Sequence, residues 1–268
     1  MQRIKLYGQI STSLAALSNE KLKQILADSK PMHEGIGGKS ALISIDDTPV
    51  FVKKVPLTDL EQLPQHFMST ENLFDLPLSY QYGVGSAGFG SWRELATHIM
   101  TTNWVITGEC ANFPIMYHWR ILPSGPGDIN TNYWGDIEEY CQYWENSAAI
   151  RNRVEDLNKA SAHIALFLEY APQNLHEWLS AQIAKGDDSA EAAVAFVDEE
   201  LKKINKYMNA RGLMHFDAHF ENILTDGKQL YLSDFGLALS SKFDLTPEEI
   251  EFLKQHQSYD QACAAVNL

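Results

Sequence analysis

Between His215 and Gly236 the sequence sets oxygen-bearing side chains at short, ordered intervals. The run reads His215-Phe216-Asp217-Ala218-His219-Phe220-Glu221-Asn222, then Ile223-Leu224, a turn, Leu230-Tyr231-Leu232-Ser233 and Asp234-Phe235-Gly236. Asp226-Gly227 between two apolar runs predicts a β-hairpin. Asn222 begins one arm and Asp234 follows the other, so both fall at the open end, and Asp217 lies one short loop before it. Two carboxylates and an amide oxygen therefore converge on one small volume. That set suits a hard cation, because magnesium prefers oxygen ligands and keeps substrate phosphates in its shell. Phosphoryl transfer needs chiefly positioning and neutralisation of charge. In such chemistry Asn222 and Asp234 would hold metal, and Asp217 would orient an acceptor hydroxyl and take its proton.

These residues resemble the protein-kinase superfamily. The spacing from Asp217 to Asn222 matches the HRDxxxxN catalytic loop, and Asp234-Phe235-Gly236 matches DFG. The HxDxHxxN form, with His219 two residues after the aspartate, is closer to aminoglycoside phosphotransferases and choline kinases. The resemblance implies ATP and Mg²⁺ as cofactors, Asp217 as catalytic base, and Asn222 and Asp234 as metal ligands.

At the expected nucleotide end, Gly35-Ile36-Gly37-Gly38-Lys39-Ser40 precedes a strand. Walker A and dinucleotide fingerprints lead into helices, so neither fits. A glycine-rich β-turn over phosphates, with Gly35, Gly37 and Gly38 as its backbone, is the kinase-like expectation. Val50-Phe51-Val52-Lys53 resembles the VAIK strand, whose lysine contacts the α- and β-phosphates. Strand alternation puts Lys53 and Lys54 on opposite faces. Lys53, following the apolar triplet, is assigned to the cleft and Lys54 to solvent. Leu168-Glu169-Tyr170-Ala171 resembles a kinase hinge, in which backbone groups of Glu169 and Ala171 would hydrogen-bond adenine.

Two readings fit Glu94. It is a candidate helix C glutamate paired with Lys53. Equally, Ser91-Trp92-Arg93-Glu94 spells a capping box, in which Glu94 reaches back to its own helix terminus. Glu71 is a second candidate if helix C lies earlier. His98 stands where the family usually has an apolar residue.

The elements that must position these groups are legible in outline. Residues 14–28 read as a helix, with Leu14, Leu17, Leu22 and Ile25 on one stripe. Ala41–Ile45 and Val50–Val55 read as strands around an Asp46-Asp47-Thr48-Pro49 turn. Ser91 opens a helix that Gly108 can end. Pro114–Leu122 and Ile164–Tyr170 read as strands. Val194, Val197, Leu201, Ile204 and Met208 recur at helical spacing, and Thr246-Pro247-Glu248-Glu249 is a capped helix start. The expected class is α+β: a bilobal protein-kinase-like fold with a strand-rich N-lobe over 1–170 and a compact, helical C-lobe over 171–268. Residues 123–162 read as an insertion. No APE motif follows Gly236, and the remaining residues offer two short helical stretches, 246–256 and 258–266, so either a compact protein or an early stop is expected.

The whole-chain properties bound the partners. The chain has 268 residues, 45% of them hydrophobic, and a net charge of −14. An acidic surface argues against nucleic acid and anionic membrane. Three widely spaced cysteines without a CxxC pair argue against a disulfide framework or zinc site and for a reducing compartment. No apolar run is long enough to span a bilayer, and a cytoplasmic location is expected. The function expected is γ-phosphoryl transfer to a hydroxyl acceptor, either protein Ser/Thr or a small metabolite or antibiotic. AMP transfer and a nucleotide-binding pseudokinase are the alternatives.

Overall fold

The computed structural model describes residues 2–35, 38–83, 85–125 and 134–267. The chain is α+β. Two helices, α1 (Gln2–Ala15) and α2 (Asn19–Ala27), lead into strands β1 (Lys30–Gly35), β2 (Gly38–Ile45) and β3 (Thr48–Leu57). The expected single helix over 14–28 is thus broken. Ser18 takes extended backbone geometry and its hydroxyl accepts from the Lys21 N–H, which starts α2 afresh.

Helix α3 (Ser91–Ile106) follows, then β4 (Met116–Pro123), α4 (Ile137–Tyr143), α5 (Ala148–Asn158) and β5 (Ala162–Glu169). The remainder comprises β6 (Gln173–Asn174), α6 (Leu175–Ile183), α7 (Asp187–Ala210), β7 (Leu213–Met214), β8 (Ile223–Thr225), β9 (Leu230–Leu232), β10 (Leu239–Ser240), α8 (Pro247–Gln255) and α9 (Tyr259–Asn267). Among the described residues, no helix is long and apolar enough to cross a membrane.

One antiparallel sheet with order β1-β2-β3-β5-β4 carries the first half of the chain. β5 lies between β3 and β4 and is almost wholly buried, so its Ile-Ala-Leu-Phe-Leu run needs no alternation. The β2–β3 turn uses Asp46 and Asp47 at φ 47° and 61°, the left-handed geometry that a two-residue hairpin turn requires. The register sets Lys53 opposite Ser40 on one side and Leu166 on the other.

In the second half, α7 buries Val197, Leu201, Ile204 and Met208 beneath the small sheets. Gly212, at φ 69°, ends the turn after it. The hairpin β8–β9 pairs Ile223 with Leu232 and Thr225 with Leu230. Thr246 and Glu249 form the expected reciprocal cap of α8.

Candidate functional site

The hairpin expected around Asp226-Gly227 is formed. Gly227 takes φ 82°, and the Asp226 carboxylate accepts from the Lys228 and Gln229 N–H groups, each at 2.9 Å. At its open end the Asn222 carbonyl accepts from the Ser233 N–H and hydroxyl, locking Asn222 beside Asp234. The Asn222 Nδ2 donates to the Asp217 carbonyl at 3.0 Å and to Asp217 Oδ2 at 2.9 Å. With its nitrogen committed, the amide has its Oδ1 left as the acceptor. Asp217, Asn222 and Asp234 all line one cleft of about 770 Å³.

The loop that carries Asp217 is held from a distance. Phe216 has φ 63°, an uncommon geometry for a bulky residue. It persists because Asp260, buried on α9, accepts from the N–H groups of His215 and Phe216 at 2.7 and 2.9 Å. The Phe216 ring, itself buried, stacks on Phe252. Asp260 went unrecognised in the sequence, since nothing local links it to a loop more than forty residues earlier.

From β3, Lys53 reaches across the cleft. Its Nζ lies 2.7 Å from Glu94 Oε1 and 2.7 Å from Asp234 Oδ1. Burial opposes the lysine's charge, but the two carboxylates outweigh it and raise its pKa. Asp234 is held down to about 2: burial works against its charge, and the Lys53 ammonium overcomes that penalty. Glu94 is pushed up to about 7, because burial and Asp234 together exceed the help from Lys53. Lys54, assigned to solvent once Lys53 takes the cleft, is half-buried. Glu71 is exposed and accepts from the neighbouring Ser69 hydroxyl, far from this role.

The alternative for Glu94, a capping box with Ser91, is not formed. Glu61 takes that place. Its Oε1 accepts the Ser91 N–H at 2.7 Å, and its backbone carbonyl accepts the Trp92 indole N–H. Its Oε2 accepts from Arg153 at 2.9 Å and from the Thr58 N–H and hydroxyl. A carboxylate from outside the helix thus satisfies its terminus, and Glu94 is released toward Lys53. His98, one turn later, is fully buried against Phe235 with ring centroids 4.9 Å apart. Neither of its ring nitrogens makes a hydrogen bond among the described residues, and burial pushes its pKa down to about 3.

The expected hinge lies at the end of β5, and Glu169 and Ala171 line the cleft. The Glu169 N–H is already committed, donating to the Ile115 carbonyl at 2.8 Å, so it is not an adenine donor. Its side chain turns outward to Arg3 of α1, whose guanidinium meets it at 2.8 and 2.6 Å and also donates to the carbonyls of Ala111 and Phe113. Of the expected glycine turn, Gly35 and Gly38 pair at the ends of β1 and β2. Gly37 lies outside the described residues.

A second glycine cluster carries geometry that no expectation above assigned. Gly83, Gly85, Gly88 and Gly90 precede α3. A side-chain carbon on Gly83 would meet Asp217 Oδ1 at 2.6 Å, and one on Gly88, at φ 69°, would meet the Gly236 carbonyl oxygen at 2.3 Å. At Gly88, where the neighbour is backbone and φ is positive, only glycine lets the chain come so close. The signal in the sequence was the glycine density itself, next to the start of the helix that carries Glu94. No protein-family model matches the chain, and a search of curated proteins found no match.

Proposed function

We propose that the chain is an ATP- and magnesium-dependent phosphotransferase with a bilobal, protein-kinase-like fold, moving the γ-phosphoryl group to a hydroxyl. The observation that carries this reading is Lys53 Nζ at 2.7 Å from both Glu94 and Asp234, above a loop that presents Asp217 and Asn222. A lysine held between two carboxylates is fixed in place and kept charged, which suits it to bind phosphate oxygens. Sheet order β1-β2-β3-β5-β4, with the paired glutamate on the helix after β3, supports the same reading.

The residues fit a magnesium ion. Asn222 Oδ1 and the Asp234 carboxylate are all-oxygen donors, and magnesium is usually bound through one or two carboxylates plus substrate phosphates. When bound, the ion would neutralise charge on the phosphates. Asp217 is pushed up to about 7, first by burial and then by Asp234, which brings it near the ideal for a general base at neutral pH. Its carboxylate, oriented by Asn222, would receive the acceptor's proton. The Glu169 carbonyl and the Ala171 backbone would edge the adenine site.

The test is transfer from γ-labelled ATP with Mg²⁺, alongside α-labelled ATP. Label release or transfer from the γ position alone, lost in Asp217→Asn and Asp234→Asn, is expected. Thermal stabilisation by Mg-ATP should survive in Asp217→Asn and be lost in Asp234→Asn. Transfer of the α label would convert the reading to AMP transfer. Full turnover in both variants would end it.

A further inference from the structure

The glycine segment before α3 runs along the acceptor side of the cleft, and it is held there. Its anchor is a relay of four groups. The Ala87 N–H donates to the Tyr80 hydroxyl at 3.0 Å, the Tyr80 hydroxyl meets the Tyr140 hydroxyl at 2.6 Å, and the Tyr140 hydroxyl donates to the Gly85 carbonyl at 2.8 Å. Because Tyr140 gives its proton to Gly85, Tyr80 must give its own to Tyr140, and each hydroxyl both donates and accepts. Tyr80 is fully buried, so the relay works in a low-dielectric setting. A second tether comes from Gln81, buried, whose side-chain N–H donates to the Leu237 carbonyl just after Gly236. Tyr140 lies on α4, so the insertion before β5 holds the segment against the catalytic loop.

The consequence falls on Asp217. Its Oδ2 is taken by Asn222 at 2.9 Å. Its Oδ1, the oxygen left to receive a proton, faces Gly83 with no room for a side-chain carbon between them. On the outer side the cleft continues between the strap and α5, lined by Ser86, Gly90, Trp134, Arg153, Leu157 and Asn158. Arg153 is 2% exposed, its charge is matched by Glu61 at 2.9 Å, and its Nε has no hydrogen-bond partner among the described residues. Asn158 Oδ1 likewise has none. With the Arg153 charge matched by Glu61, this part of the lining mixes small polar and apolar groups, which suits an uncharged hydroxyl compound.

We propose that the strap formed by Gly83 and residues 85–90 is the acceptor-selecting wall of this site, admitting a small hydroxylated molecule to Asp217 and excluding the serine or threonine of a polypeptide. This rests on the phosphotransferase reading above and specifies its substrate class. The wall also crowds Asp217 Oδ1, which restricts how water can be oriented there, so wild type hydrolyses Mg-ATP slowly.

The experiment follows γ-labelled ATP with the full chain, using water and casein as probes, in wild type, Tyr140→Phe and Gln81→Ala. Thermal shifts with Mg-ATP report folding and nucleotide binding for each. Wild type is expected to leave casein unlabelled. Each variant is expected to raise hydrolysis by about fivefold or more, the change in open strap that loss of one net hydrogen bond gives. If wild type shows no Mg-ATP shift, the phosphotransferase reading itself fails. If wild type binds Mg-ATP and labels casein, or if both variants fold, bind and hydrolyse as wild type does, the strap inference alone is overturned.

Discussion

Replacing Glu61 by alanine should destabilise the protein and loosen the Lys53–Glu94 pair together. Glu61 is 1% exposed, and its carboxylate accepts from Ser91 N, Thr58 N, Thr58 Oγ1 and Arg153. Arg153 is as deeply buried, so the substitution strands a guanidinium in the interior. Breaking a buried pair from one side costs about 3–5 kcal/mol. Losing the cap of α3 adds about 1 kcal/mol. For a chain of this size the sum is a fall in Tm of about 8–24 °C. The double variant Glu61→Ala with Arg153→Met removes the stranded charge, and should be less destabilised than the sum by about 1–3 kcal/mol.

The pH dependence has a defined sign. Donors around Glu61, Arg153 first, hold its pKa below the usual carboxylate value against the opposing effect of burial. Its contribution is therefore complete above about pH 4.5 and is lost as pH falls through the depressed folded value. Urea unfolding of wild type, both single variants and the double, at neutral and acid pH, reads all of this. A loss below about 1 kcal/mol in Glu61→Ala, or strict additivity in the double, would refute the reasoning. So would an undiminished Mg-ATP thermal shift in Glu61→Ala, because Glu94 would then hold Lys53 without help from the outside cap.

Turnover should follow the Asp217 carboxyl. With its pKa raised to about 7 by burial and by Asp234, the base is progressively protonated below neutrality, so kcat/KM should fall about tenfold per pH unit under about pH 7 and level off above it; a flat profile from pH 5 to 8 would contradict the assignment. His98→Leu should stabilise the protein by about 1 kcal/mol, because a buried imidazole without hydrogen bonds gives way to an apolar side chain of similar size. In wild type the lowered pKa of His98, caused by burial, means that the unfolded chain binds the proton first. Stability should then drain away as pH drops from about 6.5 toward about 3, and denaturant titrations should find that slope reduced in His98→Leu.

The sequence by itself determined what depends on neighbours along the chain. Asp226-Gly227 set a hairpin, and its two apolar arms placed Asn222 and Asp234 at one end. Alternation along β3 set Lys53 and Lys54 on opposite faces, the apolar triplet before Lys53 marked it for the cleft, and the Thr246-to-Glu249 box capped α8 as spelled. Ser91-x-x-Glu94 spells the same box, yet it stays unmade. The reason is that Glu61, thirty residues earlier, delivers a buried carboxylate to the helix terminus, and only packing brings it there. The same holds for Asp260 behind Phe216, for Arg3 on Glu169, and for the tyrosine relay that lays Gly83 against Asp217. Local spacing fixes which hydrogen bonds a segment can make with itself. Which of them it keeps is decided by the buried groups that the tertiary fold sets against it.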